Sequence, residues 1–462
     1  MNRAIFFSIN LTLILMFSAF FFTYANINIS LENSSILSLV LIFLYAIILA
    51  NSFTRDTISL DVIYWFFNYV FFGLGSYIMH QSGLWRYEVE ADMYIITLFV
   101  IFFSNLIYGI TYTYVYNRRI KKDDHYMQNG VISIPRLRGF IIILSIIILI
   151  LFLHKGDFSG NLVRAIFEAR FSPLSSMLSV IFQVTLMTLL YFSILNSKNR
   201  KTRGELVSTL IVFVLVLLLV NPFSMNRTYA FAMYFPLLII FLTPSIRKSS
   251  IYIVILFFGI LASFLQDMAR NYLASEKGWI DIDSVLLNNY FYSGSFDAFE
   301  SVIHSISYVY ENGIVFGYQF FGALFFWIPR SIWSGKPTGS GDYISYNYLS
   351  NYNDISYGNI SFPYYAEFYL NFGIIGVFVS AIILGSILAR VDCNFLKLRL
   401  IVLDKSYNQK GYFTYNHVFL LYLPGVLLIM LRGDMFTAFS TLFGVFISFY
   451  IANKIIRLRI KL

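Results

Sequence analysis

Residues 366–390 read AEFYLNFGIIGVFVSAIILGSILAR, and after Glu367 near the amino end no charged side chain follows until Arg390. A helix rises 1.5 Å per residue, so a run of this length crosses the roughly 30 Å hydrocarbon core of a bilayer. Working outward, apolar runs of spanning or near-spanning length recur at 4–24, 35–52, 58–79, 93–116, 138–154, 174–195, 206–220, 229–244, 250–266, 412–431 and 436–455. The first run is too long for the apolar region of a signal peptide and has no small-x-small exit, so it reads as an uncleaved span.

The sequence therefore predicts an all-α polytopic membrane protein of about twelve transmembrane helices. Nine of them fall in residues 1–266 and three in 366–462, the latter ending in a basic tail. Between these parts lies a long segment, 267–365. Composition agrees: the chain has 462 residues, 58% hydrophobic and 12% charged, too little polar surface for a soluble protein. Aromatics make up 19%, with 35 Tyr and 50 Phe, which suits lipid-facing helices, interfacial belts and a sugar-stacking cavity. Cys393 is the sole cysteine, which excludes an intrachain disulfide and multi-thiolate zinc sites.

Basic residues set the orientation. With both termini in the cytoplasm, the loops there collect Arg118, Arg119, Lys121 and Lys122, then the clusters at 198–203, 247–248, 397–410 and 454–461. This topology places 23 of the 33 Lys and Arg on the cytoplasmic side, against 7 of the 24 acids. The net charge of +9 is thus a topology signal, and no nucleic-acid partner is implied. Asp61, near the cytoplasmic end of the third run, reads as snorkelling to that surface.

The cations left outside are informative. They are Arg86, Lys155, Arg164, Arg170, Arg227, Arg270, Lys277, Arg330, Lys336 and Arg432, with Arg outnumbering Lys seven to three. A guanidinium cluster suits bidentate binding of phosphate or diphosphate; the competing reading is headgroup binding or pairing with the external acids. Within 267–365, Phe296, Phe299, Val302, Ile303 and Ile306 recur at helical spacing and predict an amphipathic helix lying over the bundle. The apolar stretch before Pro329 is too short for a span and suits an interfacial or re-entrant helix, with Trp327 and Trp333 near the headgroups. Asp281 and Asp283 form an Asp-x-Asp pair, but nucleotide sugars are cytoplasmic and this loop is external.

The segment from Trp327 through Pro329, Arg330, Trp333 and Lys336 to Pro337 resembles the Pro-Arg-x-x-Trp-x-x-Lys-Pro signature of bacterial oligosaccharide repeat-unit polymerases, the Wzy-type polymerases of O-antigen and capsule. The run from Glu367 and Tyr369 through Asn371, Phe372 and Gly373 to Gly376 is similar to that family's entry into its next span. The resemblance implies a GT-C-like glycosyltransferase in the bacterial inner membrane. It would join undecaprenyl-diphosphate-linked oligosaccharides at the outer face, in contact with the lipid bilayer, and it leaves a chain-length regulator as an open partner.

Because such a donor carries its own leaving group, the chemistry needs no cofactor and no metal. It needs cations for the departing diphosphate and a base for the acceptor hydroxyl. The expected cations are Arg330, Arg270, Arg227 and Lys336, supported by Arg164, Arg170 and Arg432. Glu367 is the expected base, one helical turn before Asn371; a favourable charge at a helix amino end is the competing reading. His304 is the second candidate base, although a lone histidine on an interfacial helix is commonly a surface residue. Tyr364 and Tyr365 are candidate sugar contacts. Two other functions remain open: an O-antigen ligase-like transferase, and a flippase for lipid-linked oligosaccharides, which would carry cations through mid-membrane.

Overall fold

A computed structural model describes residues 3–24, 32–55, 59–83, 85, 87, 89–120, 181, 183–191, 193–194, 203–222, 227–242, 256–257, 259, 296–349, 360–403 and 415–457. Most of these residues are helical, and no strand occurs among them. In order they form α1 (Arg3–Tyr24), α2 (Asn33–Arg55), α3 (Leu60–Phe67), a π-helical segment (Asn68–Gly75), α4 (Ser76–Ser82) and α5 (Ala91–Ile120). Then come α6 (Arg203–Leu219), α7 (Arg227–Leu242), α8 (Ala298–Asn312), α9 (Tyr318–Leu324), α10 (Ser340–Asn347), α11 (Tyr364–Leu403), α12 (Tyr415–Arg432) and α13 (Met435–Arg457).

Five helical stretches among the described residues are long and apolar enough to cross a membrane: Arg3–Thr23, Asn33–Thr54, Leu60–Ser82, Ala91–Ile120 and Tyr364–Phe395. They coincide with the runs expected at 4–24, 35–52, 58–79, 93–116 and 366–390. Helices α6, α7, α12 and α13 cover four further runs, whereas 138–154 and most of 250–266 lie outside the described residues. The chain divides into two compact units: Met1–Asp124, Ile246–Phe395 and Leu427–Phe439, and His125–Ser245, Leu396–Val426 and Ser440–Leu462.

The first unit is organised around a buried polar network. A bilayer cannot hydrate side chains, so polar groups at this depth must satisfy one another. The Asn105 amide donates to Tyr45 Oη at 2.8 Å and to Asn68 Oδ1 at 3.0 Å, and its Oδ1 accepts Tyr64 at 2.5 Å and Tyr365 at 2.7 Å. The five groups are each within 2% of full burial. Asn68, which opens the π-helical segment, also accepts Tyr365 at 2.8 Å. Helices α2, α3, α5 and α11 are thereby held at one polar junction.

A second polar node corrects the reading of Asp61. Its side chain is 3% exposed, with Oδ2 accepting Ser52 at 2.8 Å and Oδ1 accepting Tyr108 at 3.2 Å. Beside it Asp392, from the far end of α11, accepts the backbone N–H groups of Leu60 at 2.7 Å and Asp61 at 3.1 Å, and the Tyr112 hydroxyl at 2.8 Å. The free N–H groups that open a helix attract a carboxylate, so Asp392 closes the start of α3. Sequence reading missed this because the partner lies about 330 residues away.

Helix α8 fulfils its predicted pattern: Phe296, Phe299, Val302, Ile303 and Ile306 are all buried. It packs against α5, α10 and the π-helical segment. In the second unit, Tyr422 hydrogen-bonds Thr188 at 3.0 Å and donates to the Val184 carbonyl at 3.2 Å, and Ser448 donates to the Ile181 carbonyl at 2.9 Å.

Candidate functional site

Helix α11 is broken near its start. Gly373 adopts φ 65° and ψ −160°, which a residue with a Cβ avoids. In an uninterrupted helix the Leu370 and Asn371 carbonyls would accept from residues 374 and 375. Here the approaching chain substitutes: Val315 donates to Leu370 at 3.0 Å and Gly317 to Asn371 at 3.2 Å. Irregular backbone is tolerated at membrane depth where protein covers it, and the segment before α9 provides that cover.

The half-helix ahead of the break carries Glu367 and Asn371, both fully buried. Glu367 Oε1 accepts the Ser340 hydroxyl at 2.7 Å and Asn371 Nδ2 at 3.2 Å. Asn371 Oδ1 in turn accepts the Phe320 backbone N–H at 3.1 Å, which ties α9 to the same residue. Glu367 Oε2 has no partner with hydrogen-bond geometry; the Met435 amide makes only a looser interaction with this carboxylate. Oε1 is fixed by two side-chain donors, and Oε2 is the less constrained of the two oxygens.

A second carboxylate stands nearby. Asp434 accepts the Thr437 backbone N–H at 2.9 Å, so it caps α13, and it repels Glu367 electrostatically. The loop before α10 runs so close that a side chain on Gly339 would meet Asp434 Oδ2. Asp342, on the first turn of α10, has its carboxyl pushed above the usual range by burial and then by Asp434.

The same loop carries the predicted cations. Arg330 donates through Nη1 to the Lys336 carbonyl at 2.7 Å and through Nη2 to the Pro337 carbonyl at 3.4 Å. Lys336 is buried, and its ammonium donates to the Phe326 carbonyl at 2.5 Å and the Ile328 carbonyl at 3.0 Å. It also lies 5.6 Å from the Phe436 ring centre, two residues past Asp434. Burial, then the Arg330 charge, pushes the Lys336 ammonium below its ordinary value. Neither cation pairs with an acid among the described residues, and a guanidinium has five N–H groups, so donors remain for an anion.

Other expected residues fall elsewhere. His304 is buried, not on the surface: Nε2 meets Glu300 Oε1 at 3.4 Å and its ring sits edge-on to Tyr87. Its neighbour Ser305 is what reaches the site helix, donating to the Ala366 carbonyl at 2.8 Å. Tyr364 is buried with its hydroxyl 2.8 Å from that of Tyr64, inside the polar junction. Arg432 ends α12, two residues before Asp434, and is half-buried. Arg227 opens α7 in the second unit. Arg164, Arg170 and Arg270 lie outside the described residues.

Ser340, Asp342 and Gln319 were not singled out in the sequence. A serine beside a Gly-rich loop carries no signal of its own, and only the fold brings it to Glu367. No group of three acids, histidines or cysteines able to hold a metal ion occurs among the described residues. Comparison of the chain with protein families, curated proteins and solved structures finds no match.

Proposed function

We propose that this chain is a membrane-embedded glycosyltransferase, GT-C-like with about twelve spans, that joins undecaprenyl-diphosphate-linked repeat units into a surface polysaccharide at the outer face of the bacterial inner membrane. The observation that carries the reading is the union, at one broken membrane helix, of a buried carboxylate with a loop bearing two cations that have no acidic partner among the described residues. Glycosyl transfer from a diphosphate carrier asks for this pair of features.

In this reading Glu367 Oε2 takes the proton of an acceptor hydroxyl. The acceptor oxygen bonds to the anomeric carbon of the donor as the bond from that carbon to the diphosphate oxygen breaks. Undecaprenyl diphosphate leaves with the bonding electrons, and Arg330 and Lys336 neutralise the charge that develops on it. Ser340 and Asn371 hold Glu367 in place through its other oxygen.

Purified protein given lipid-linked repeat units alone should produce a ladder of chain lengths, and Glu367→Gln should produce none. A ladder only after addition of a lipid core would make the enzyme a ligase. The broken helix favours one further reading, a flippase, since discontinuous helices are common at transport sites. A deletion strain that accumulates repeat units on the cytoplasmic face would decide for transport.

A further inference from the structure

Gln319, the second residue of α9, is 1% exposed, and neither Oε1 nor Nε2 of its amide has a protein partner. A primary amide carries two donors and an acceptor, and burying all of them unmatched is unfavourable. A buried amide without partners calls for an explanation, and a group that meets a bound ligand supplies one.

Its surroundings say which ligand. The next residue, Phe320, donates its N–H to Asn371 Oδ1, and the same amide reaches Glu367 through Nδ2. One turn along the buried face of α9, a Cβ on Gly322 would run into the Pro337 ring. Three residues beyond Pro337, Ser340 donates to Glu367. Gln319, Gly322 and Ala323 are the buried residues of α9, so this face is the one turned to the loop of Lys336 and Ser340. The Gln319 amide and Glu367 Oε2 both lack a hydrogen-bond partner, and the Phe320–Asn371–Glu367 bonds tie the helix of the one to the half-helix of the other.

We propose that Gln319 is a specificity-determining residue that reads two neighbouring hydroxyls of the acceptor sugar, donating from Nε2 to one and accepting at Oε1 from the other. A planar amide presents a donor and an acceptor side by side, which matches a vicinal diol. The assignment rests on the transferase reading of the Glu367 site, and it adds the group that orients the acceptor there. A site built to hydrogen-bond a hydroxyl discriminates strongly, because a sugar lacking it leaves the amide unmatched again.

The test uses the full-length protein in detergent and the repeat-unit oligosaccharide released by mild acid from the host's own lipid carrier. Gln319→Met keeps the volume and removes the polar atoms; Gln319→Glu keeps acceptors and removes the donor. Wild-type protein should bind the oligosaccharide, Gln319→Met should weaken Kd at least tenfold, and Gln319→Glu should lie between. Thermal unfolding of Gln319→Met without sugar should be unchanged or higher, since an unmatched amide has gone; a purely structural glutamine would lower it. In the chain-extension assay Gln319→Met should raise KM for the acceptor while kcat stays within threefold. Wild-type binding retained by Gln319→Met overturns the assignment, as does absence of binding by the wild type. Sugar binding that depends on Gln319, with no ladder from the wild type, would retire the polymerase reading and leave the sugar site standing.

Discussion

The Ser340 hydroxyl donates to Glu367 Oε1 at 2.7 Å, linking the first residue of the short helix α10 to the first turn of a membrane helix. The bond holds the carboxylate through Oε1, so it acts on Glu367 by position. Ser340→Ala should leave insertion and expression intact and slow chain extension. Loss of a hydrogen bond to a charged group costs about 1.5–3 kcal/mol, which corresponds to a rate loss of roughly tenfold to a hundredfold. Wild-type rates in Ser340→Ala would remove this bond from the mechanism.

Arg330 both shapes its loop and faces the anion. It holds two successive carbonyls, those of Lys336 and Pro337, with a fork that lysine lacks. Arg330→Ala should abolish chain extension with normal membrane insertion, and Arg330→Lys should restore little. By analogy with a lost oxyanion donor, about 3–4 kcal/mol of transition-state stabilisation is at stake. Single-turnover rates with lipid-linked repeat units measure it directly, and normal extension by Arg330→Ala would take it out of the site.

Gly373 fixes the break in α11. A Cβ at φ 65° and ψ −160° is strained by roughly 1–3 kcal/mol. Gly373→Ala should lower the unfolding temperature in detergent and uncouple Val315 and Gly317 from their carbonyls, seen as faster amide exchange at both residues. Unchanged exchange there would mean that the loop does not depend on the break.

Asp342 gives a pH signature. Burial, then the Asp434 charge, holds its carboxyl above the usual aspartate value of about 3.8. A raised folded-state value means that ionisation opposes folding: the effect is absent below about pH 3.8 and grows as pH rises through the folded value. Asp342→Asn should therefore raise the unfolding temperature at neutral pH, with the gain shrinking as the solution is acidified toward that value. A gain of equal size at both ends of the pH range would contradict this electrostatic origin.

The sequence alone determined that the chain is helical and built for a membrane, because apolar runs such as 366–390 have no other place to be stable. Motif resemblance and the distribution of charge across the expected topology also marked Arg330 and Lys336, and the same resemblance marked Glu367. Helical spacing sufficed to place Phe299 and Ile306 in the interior, because burial of an amphipathic face follows a local period.

Only the tertiary structure decided which polar groups meet. Asp392 at the start of α3, Tyr365 with Asn105, and Ser340 with Glu367 join positions 332, 260 and 27 residues apart. No periodicity encodes such pairs; in a medium without water each buried polar group takes whichever partner the packing of distant helices delivers. The tertiary packing also buried His304, whose partner Glu300 is one turn back on the same helix, and left the Gln319 amide without a partner.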